Sequence, residues 1–408
     1  MRTKHICKNG VRILVEKRPY VRSVSMGIWV NVGSRDESPE LNGITHFIEH
    51  MLFKGTYTRT AKEIAESFDR IGGQLNAFTS KENTCFYATT LDIHAVEALK
   101  ILADMFFHSS FDPQEIEKER QVIYEEMLLV EDTPDDEVDE RLWRAMFPED
   151  PIGAPILGTR DTLENFTKET LEDFMEAHYT PERIVISIAG NVPDHLLDTV
   201  AALFGDFERD SEVPQIATIP RFDPGVTIKR NHAEQSHLLL GYSSLSIKDP
   251  NLMSLLVMNN IIGDTTSSRL FQQVREEKAL AYSIYSYYSA YQDTGAFMIY
   301  GGTSPKQLDL LEETILQITD NLKENGVTAK EIKYAKEQLE SNFLLSLETT
   351  NDVMHRNAKN ELIYGEHKSI EVNLEELQAV NEISVNNMIQ DILGKPFAKS
   401  IIQPTKRL

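Results

Sequence analysis

His46 and His50 stand four residues apart, and Glu49 immediately precedes the second histidine. On a helix with 3.6 residues per turn, positions four apart differ by about 40° around the axis, so both imidazoles can reach one ion. Glu49, three residues past His46 on the neighbouring part of that face, is close enough to touch a water held by the same ion. Imidazole nitrogens suit zinc, and a catalytic zinc takes three protein ligands and keeps a fourth position open. Two ligands are in hand, so an acidic third has to come from elsewhere in the chain. The chemistry on offer is hydrolysis, with water activated near neutral pH and Glu49 placed to accept its proton as general base.

That chemistry needs a helix under the two histidines, and the pattern supplies one. After Asn42-Gly43, the apolar residues Ile44, Phe47, Ile48, Met51 and Leu52 recur at helical spacing, and Gly55 lies just past the end as a left-handed cap. A second helix start is written in Asp112-Pro113-Gln114-Glu115, with Asp112 as N-cap, Pro113 at the first position and Glu115 completing a capping box. The helix is expected to run to about Glu131. Its stripe of Ile116, Ile123, Met127 and Val130 spans about 60° of the wheel. Glu119 and Glu126, seven apart, fall on one flank of that stripe, whereas Glu125 points away from it. Periodicity therefore nominates Glu126 as the third ligand. Glu119, on the same flank, is placed to hydrogen-bond a ligand histidine and orient it.

The rest of the first half alternates strands and helices. Strand-like runs occupy 11–15, 24–32, 76–79, 84–90 and 183–189, and helical ones 61–71, 94–107, 162–176 and 193–203. Gly72-Gly73 follows a helix C-terminus, the wrong end for an anion, so it reads as a turn and not as a phosphate cradle. Between 208 and 225 periodicity fades and Pro214, Pro220 and Pro224 accumulate, which marks an interdomain linker. The expected division is an N-terminal domain over 1–208, a linker over 209–224 and a C-terminal domain over 225–408. The second half replays the first. The run 236–244 corresponds to 24–32, and Thr328-Ala-Lys-Glu331 to Asp112-Pro-Gln-Glu115, an offset of 216 residues. At that offset His46, His50 and Glu126 become Ile262, Thr266 and Asn342, so only the first copy can hold the metal.

With these residues the chain resembles the pitrilysin-type zinc metallopeptidases, the inverzincins of family M16, and especially their processing-peptidase branch. The family pattern of His-x-x-Glu-His followed by a distant glutamate is met by His46, Glu49, His50 and Glu126, and the helper glutamate seven residues before the last by Glu119. The resemblance implies an α+β fold of two homologous domains, each a largely antiparallel sheet packed with helices, and one Zn2+ per chain. It implies that Arg275 and Tyr282, in Ser267-Ser-Arg-Leu-Phe-Gln-Gln-Val-Arg275 and Leu280-Ala-Tyr282, hold the substrate carbonyl and the oxyanion. It further implies that the strand around Gly73, Asn76 and Ala77 pairs with extended peptide substrate. The family encloses its cleft with four such domains, so a two-domain chain is expected to form a homodimer. One departure is Gly263-Asp-Thr-Thr266, where close relatives often carry a glycine-rich run.

Composition narrows the setting. A chain of 408 residues suits two domains of about 200 each. No run of 18 apolar residues occurs, so no membrane span is expected. A formal charge of -23 argues against nucleic acid as a partner and permits basic peptides. The acidic run from Glu131 to Glu140 reads as a solvated face, with selection of cationic substrates as the alternative. The N-terminus shows no signal-peptide pattern, and Cys7 and Cys85 make no disulfide framework, so a cytoplasmic setting is expected. The aromatic run Tyr282 to Tyr291 reads as strand and core, and the remaining histidines lack ligand spacing. The leading function is a zinc endopeptidase acting on oligopeptides or unfolded, presequence-like segments. The alternative is a non-catalytic binding or assembly subunit on the same fold, against which the intact zinc motif argues.

Overall fold

The structure, a computed structural model, describes residues 2–209 and 219–405. It divides into two compact units, neither continuous in sequence. The first comprises Met1–Met127, Ala154–Ala217 and Ser346–His367, and the second Leu128–Gly153, Thr218–Leu345 and Lys368–Leu408. The division expected at 209–224 thus misses two exchanged segments. Of the expected linker, residues 210–218 lie outside the described residues.

The first unit is built on a six-stranded sheet: β1 (Arg2–Ile6), β2 (Arg12–Lys17), β3 (Ser23–Val30), β4 (Gln74–Thr79), β5 (Thr84–Leu91) and β6 (Ile184–Gly190). The strand order is β1-β2-β6-β3-β5-β4, all pairs antiparallel except β2 with β6. The even-numbered side chains Val24, Met26, Ile28, Val30, Ile184, Ile186 and Ile188 point into a core shared with Phe47, Ile48 and Met51 of the motif helix. On the opposite face, Ser25, Gly27, Trp29 and Ser187 are covered by the helix Thr350–Tyr364. Ser25 Oγ meets Thr350 Oγ1 at 2.8 Å, Ser187 donates to Met354 O at 2.8 Å, and Trp29 Nε1 donates to Met354 Sδ. A sheet buried on both faces needs a helix on each. That demand explains why a segment from late in the chain joins the first unit.

The second unit repeats the plan. Its strands β7 (Val226–Asn231), β8 (Ser236–Ser243), β9 (Ala281–Ala290), β10 (Gly295–Thr303) and β11 (Phe397–Pro404) lie in the order β7-β11-β8-β10-β9. β7 and β11 are parallel and the rest antiparallel, the same pattern as β2-β6-β3-β5-β4. One face is covered by the helix Pro134–Met146, whose Val138, Leu142 and Met146 pack on Leu239, Met298 and Ile402. The acidic run is therefore not simply a solvated face. Glu137 within it is buried and pairs with Lys229, and Asp139 accepts the hydroxyl of Tyr287. The stretch read as one helix over 162–176 is two, Arg160–Leu163 and Lys168–His178, separated where Thr167 caps the second.

Two helices carry the site through residues of the first unit. We label the motif helix α1 (Ile44–Leu52) and the long helix α2 (Pro113–Asp132). Asp112 caps α2, its Oδ1 accepting from the Gln114 amide at 2.8 Å. α1 begins after Gly43, whose φ of +97° suits glycine alone, and no side chain of its own caps it. The cap comes from the preceding loop. Buried Glu37 accepts from the amides of Gly43 (2.8 Å) and Thr45 (2.9 Å) and from Asn42 Nδ2 (3.0 Å).

Burial pushes the Glu37 carboxyl from its ordinary 4.5 up to about 7, against the pull of those donors. The folded chain then binds a proton there that the unfolded chain releases, so this group's contribution to stability falls as pH rises through that window. Glu37→Ala strands the two amides and is expected to cost about 1–3 kcal/mol in urea unfolding. It should also flatten the pH dependence of stability between pH 4.5 and 7.

Candidate metal centre

α1 and α2 bring three donors to one point. Glu126 Oε2 stands 3.8 Å from His46 Nε2 and 3.6 Å from His50 Nε2, and the two imidazole centroids are 4.6 Å apart. Among the described residues these three form the one cluster of metal-type donors, with ligand atoms all within 4.8 Å of each other. Ligands about 2.0–2.1 Å from a tetrahedral zinc are separated by about 3.3 Å. The observed spacings are a little wider than that and too long for hydrogen bonds, so the donor set fits the ion. Glu125 faces solvent, as the helical wheel requires.

The histidines are prepared differently. His50 Nδ1 bonds Glu119 Oε2 at 3.0 Å, and Lys54 Nζ holds the other oxygen of that carboxylate at 2.6 Å. With its Nδ1 proton donated to Glu119, His50 presents a free Nε2 lone pair to the ion. Glu119 is buried, which would raise its pKa, but its bonds to His50 and Lys54 outweigh burial and keep it below the ordinary value. Burial alone would lower His50. The hydrogen bond to Glu119 and the charges of Glu126, Glu119 and Glu49 reverse that and raise it. Among the described residues His46 Nδ1 is buried without a hydrogen-bond partner, and burial with His50 alongside drops its pKa to about 3. The ring is thus kept in the neutral form that ligates.

Glu49 projects from the same helix and takes no part in the cluster. Its carboxylate is raised by burial, and the hydroxyl of Thr79, at the end of β4, donates to its Oε2 at 2.5 Å. β4 is an edge strand, so one of its sides is free of sheet partners. Asn76 and Ala77 lie on it, with Gly73 just before it, and the Ala77 amide is held by Asn76 Oδ1 at 2.8 Å. Beside this edge runs a groove of about 1150 Å³, lined among others by Phe53, Ile64, Phe68, Leu75, Asn76 and Thr350.

Arg275 and Tyr282 belong to the second unit. The guanidinium lies 4.7 Å from the Tyr282 ring centroid, and Tyr282 is 76% exposed. The aromatic run is a strand, β9, as read, and its first tyrosine lies on the surface and not in the core. Sequence reasoning missed Lys54 and Thr79. Lys54 was within reach, standing four residues past His50 just beyond the end of α1. Thr79 was not, because no spacing rule ties a strand end to a helix face.

Residues 12–160 match the family model described as insulinase (peptidase family M16), and residues 165–339 the one described as peptidase M16 inactive domain. The chain is 48% identical to "uncharacterized zinc protease YmxG" of Bacillus subtilis, over 98% of each sequence. It is 38% identical to a protein of Streptomyces coelicolor also named a zinc protease, over 97% of this chain and 88% of that one. Among solved structures, a protease from Helicobacter pylori superposes with a TM-score of 0.92 at 20% identity, over 99% of both chains, which shows the shared fold.

Glu119 bonds His50 Nδ1 and stands outside the three-donor cluster, so Glu119→Gln is expected to weaken zinc binding by about 10- to 100-fold. Competition with a chromogenic chelator reads this directly. Glu126→Ala should lose more, and Glu125→Gln should match the parent protein.

Proposed function

The chain belongs to peptidase family M16, the insulinase-type zinc proteases, and we propose that it is an endopeptidase for oligopeptides and unfolded, presequence-like segments. The observation that carries this reading is Glu49, a carboxylate beside the three-donor cluster and tied to the end of an unpaired strand edge. When bound by His46, His50 and Glu126, zinc supplies Lewis-acid activation of water near neutral pH. Glu49 accepts the proton of the attacking water, and the upward pull of burial on its pKa suits a group that must take a proton and give it back. The same carboxyl then hands the proton to the departing amine.

Substrate is held as an added strand. An extended peptide pairs its backbone with the free edge of β4 near Gly73, Asn76 and Ala77, so that main-chain bonds supply affinity with little demand on sequence. The Ala77 amide is freed for this when Asn76 releases it. Arg275 holds the substrate carbonyl and Tyr282 donates to the oxyanion, roles supported by the family resemblance and by the exposure of the tyrosine. The net charge of -23 favours basic peptides by long-range attraction. We further propose a cytoplasmic homodimer. Its two buried, unpaired cysteines suit a reducing compartment. No helix among the described residues is long and apolar enough to cross a membrane. A non-catalytic role on the same fold finds no support in a site with every donor in place.

A mixed peptide library incubated with the protein should show internal cleavages that a chelator abolishes and zinc restores. Glu49→Gln should lower kcat by about 10²- to 10⁴-fold while zinc content stays at that of the parent. Undiminished cleavage by that variant, or cleavage indifferent to chelation, defeats the reading. Light scattering on the eluting protein should give twice the chain mass, and an active monomer removes the dimer.

A further inference from the structure

We infer that Thr79 is the positioning residue for the general base, holding the Glu49 carboxylate in one orientation through its hydroxyl. The inference rests on Glu49 acting as that base. At 2.5 Å the contact is in the range of a charge-assisted O–H···O bond, and among the described residues Thr79 is the hydrogen-bond donor to this carboxylate. A glutamate has three rotatable bonds, and nothing in α1 by itself selects one setting of the last. The threonine can select it because its own position is over-determined.

That fixity is visible on every side. Thr79 is the last residue of β4 and pairs in register with Thr84 of β5. The turn that follows is closed by the Ser80 amide on Asn83 O (2.8 Å) and by Ser80 Oγ on the same carbonyl (2.9 Å). The turn is then pinned to the loop ahead of α1, where the amides of Ser34 and Arg35 donate to Ser80 O (3.1 Å) and Lys81 O (2.8 Å). Gly33 allows this approach, since a Cβ there would collide with Ser80 O and Lys81 C. Threonine is itself stiff at χ1. A rigid donor on one element thus meets a flexible acceptor on another.

The arrangement also sets the base against the substrate. Residues two apart on a strand share a face, so Ala77 and Thr79 project together, separated by about 7 Å along β4. A peptide in register with Ala77 is then in register with the carboxylate that Thr79 holds. A surface threonine chosen only for strand propensity would place no such constraint on Glu49.

The test uses full-length protein and one peptide that the parent cleaves, with kcat, KM and zinc content measured for Thr79→Val, Thr79→Ala and Thr79→Ser. Loss of the hydroxyl in Val or Ala should lower kcat by about 10- to 100-fold with KM within about twofold and zinc unchanged. Serine, which keeps the donor, should stay within about threefold of the parent. Parental kcat in Val or Ala overturns the inference. So does a serine variant as impaired as alanine, which would make the lost methyl the cause, or a fall in kcat that tracks loss of zinc. Should Val fail to fold, the contrast between Ala and Ser decides alone. A parent protein that cleaves no peptide sinks the underlying reading instead, an outcome distinct from any of these.

Discussion

Polar groups taken out of water must be paired, and the surroundings of α1 are arranged around that requirement. One short helix packs Ile44, Phe47, Ile48 and Met51 into the core and presents two half-buried imidazoles and a carboxylate on its opposite side. Each would be a liability if left alone. His50 is answered by Glu119, Glu119 by Lys54, Glu49 by Thr79, and the helix N-terminus by Glu37. His46 Nε2 and His50 Nε2, with Glu126, are answered by no protein donor, and the three converge on a point where a cation completes them.

The same requirement acts on a larger scale through the sheets. A helix over one face of β3 and β6 leaves the other face carrying Ser25, Trp29 and Ser187, whose polar atoms would be stranded under a purely apolar cover. The helix Thr350–Tyr364 meets them with Thr350 Oγ1, Met354 Sδ and Met354 O. Lys4 of β1 reaches the same helix through buried Glu361 at 2.7 Å. The helix Pro134–Met146 serves the second sheet, where Glu137 meets Lys229 and Asp139 meets Tyr287. Segments are assigned to units by which surface they can satisfy, not by where they fall in the chain.

This explains what could be read from the residues alone and what could not. Local periodicity carries the direction of a side chain on its own helix, so the residues alone separate Glu126 from Glu125 and set Glu119 on the flank that can meet a histidine. Capping chemistry is local too, and Asp112 begins α2 where expected. The exchange of two helices between units is not local. Ser25 and Ser187 look like ordinary strand positions until the partner helix is known. The acidic run is the same case: no local pattern sets Glu137 apart, and its partners Lys229 and Asn231 come from a distant strand. Thr79 belongs in this class, a residue whose role exists only in its contact.

The repeated topology sharpens why the cluster of metal-type donors stands in one copy. At the offset of 216 residues that sets Thr328 against Asp112, His46, His50 and Glu126 fall on Ile262, Thr266 and Asn342 of the second unit. Ile262 is fully buried in the apolar core of that unit and serves packing. A buried polar ligand without its ion is costly, and a duplicate that loses one ligand gains by losing all. The second copy is thereby released from the pairing demand that shapes the first. What it displays instead is an arginine stacked against an exposed tyrosine, groups that remain in water and need no buried partner to be kept.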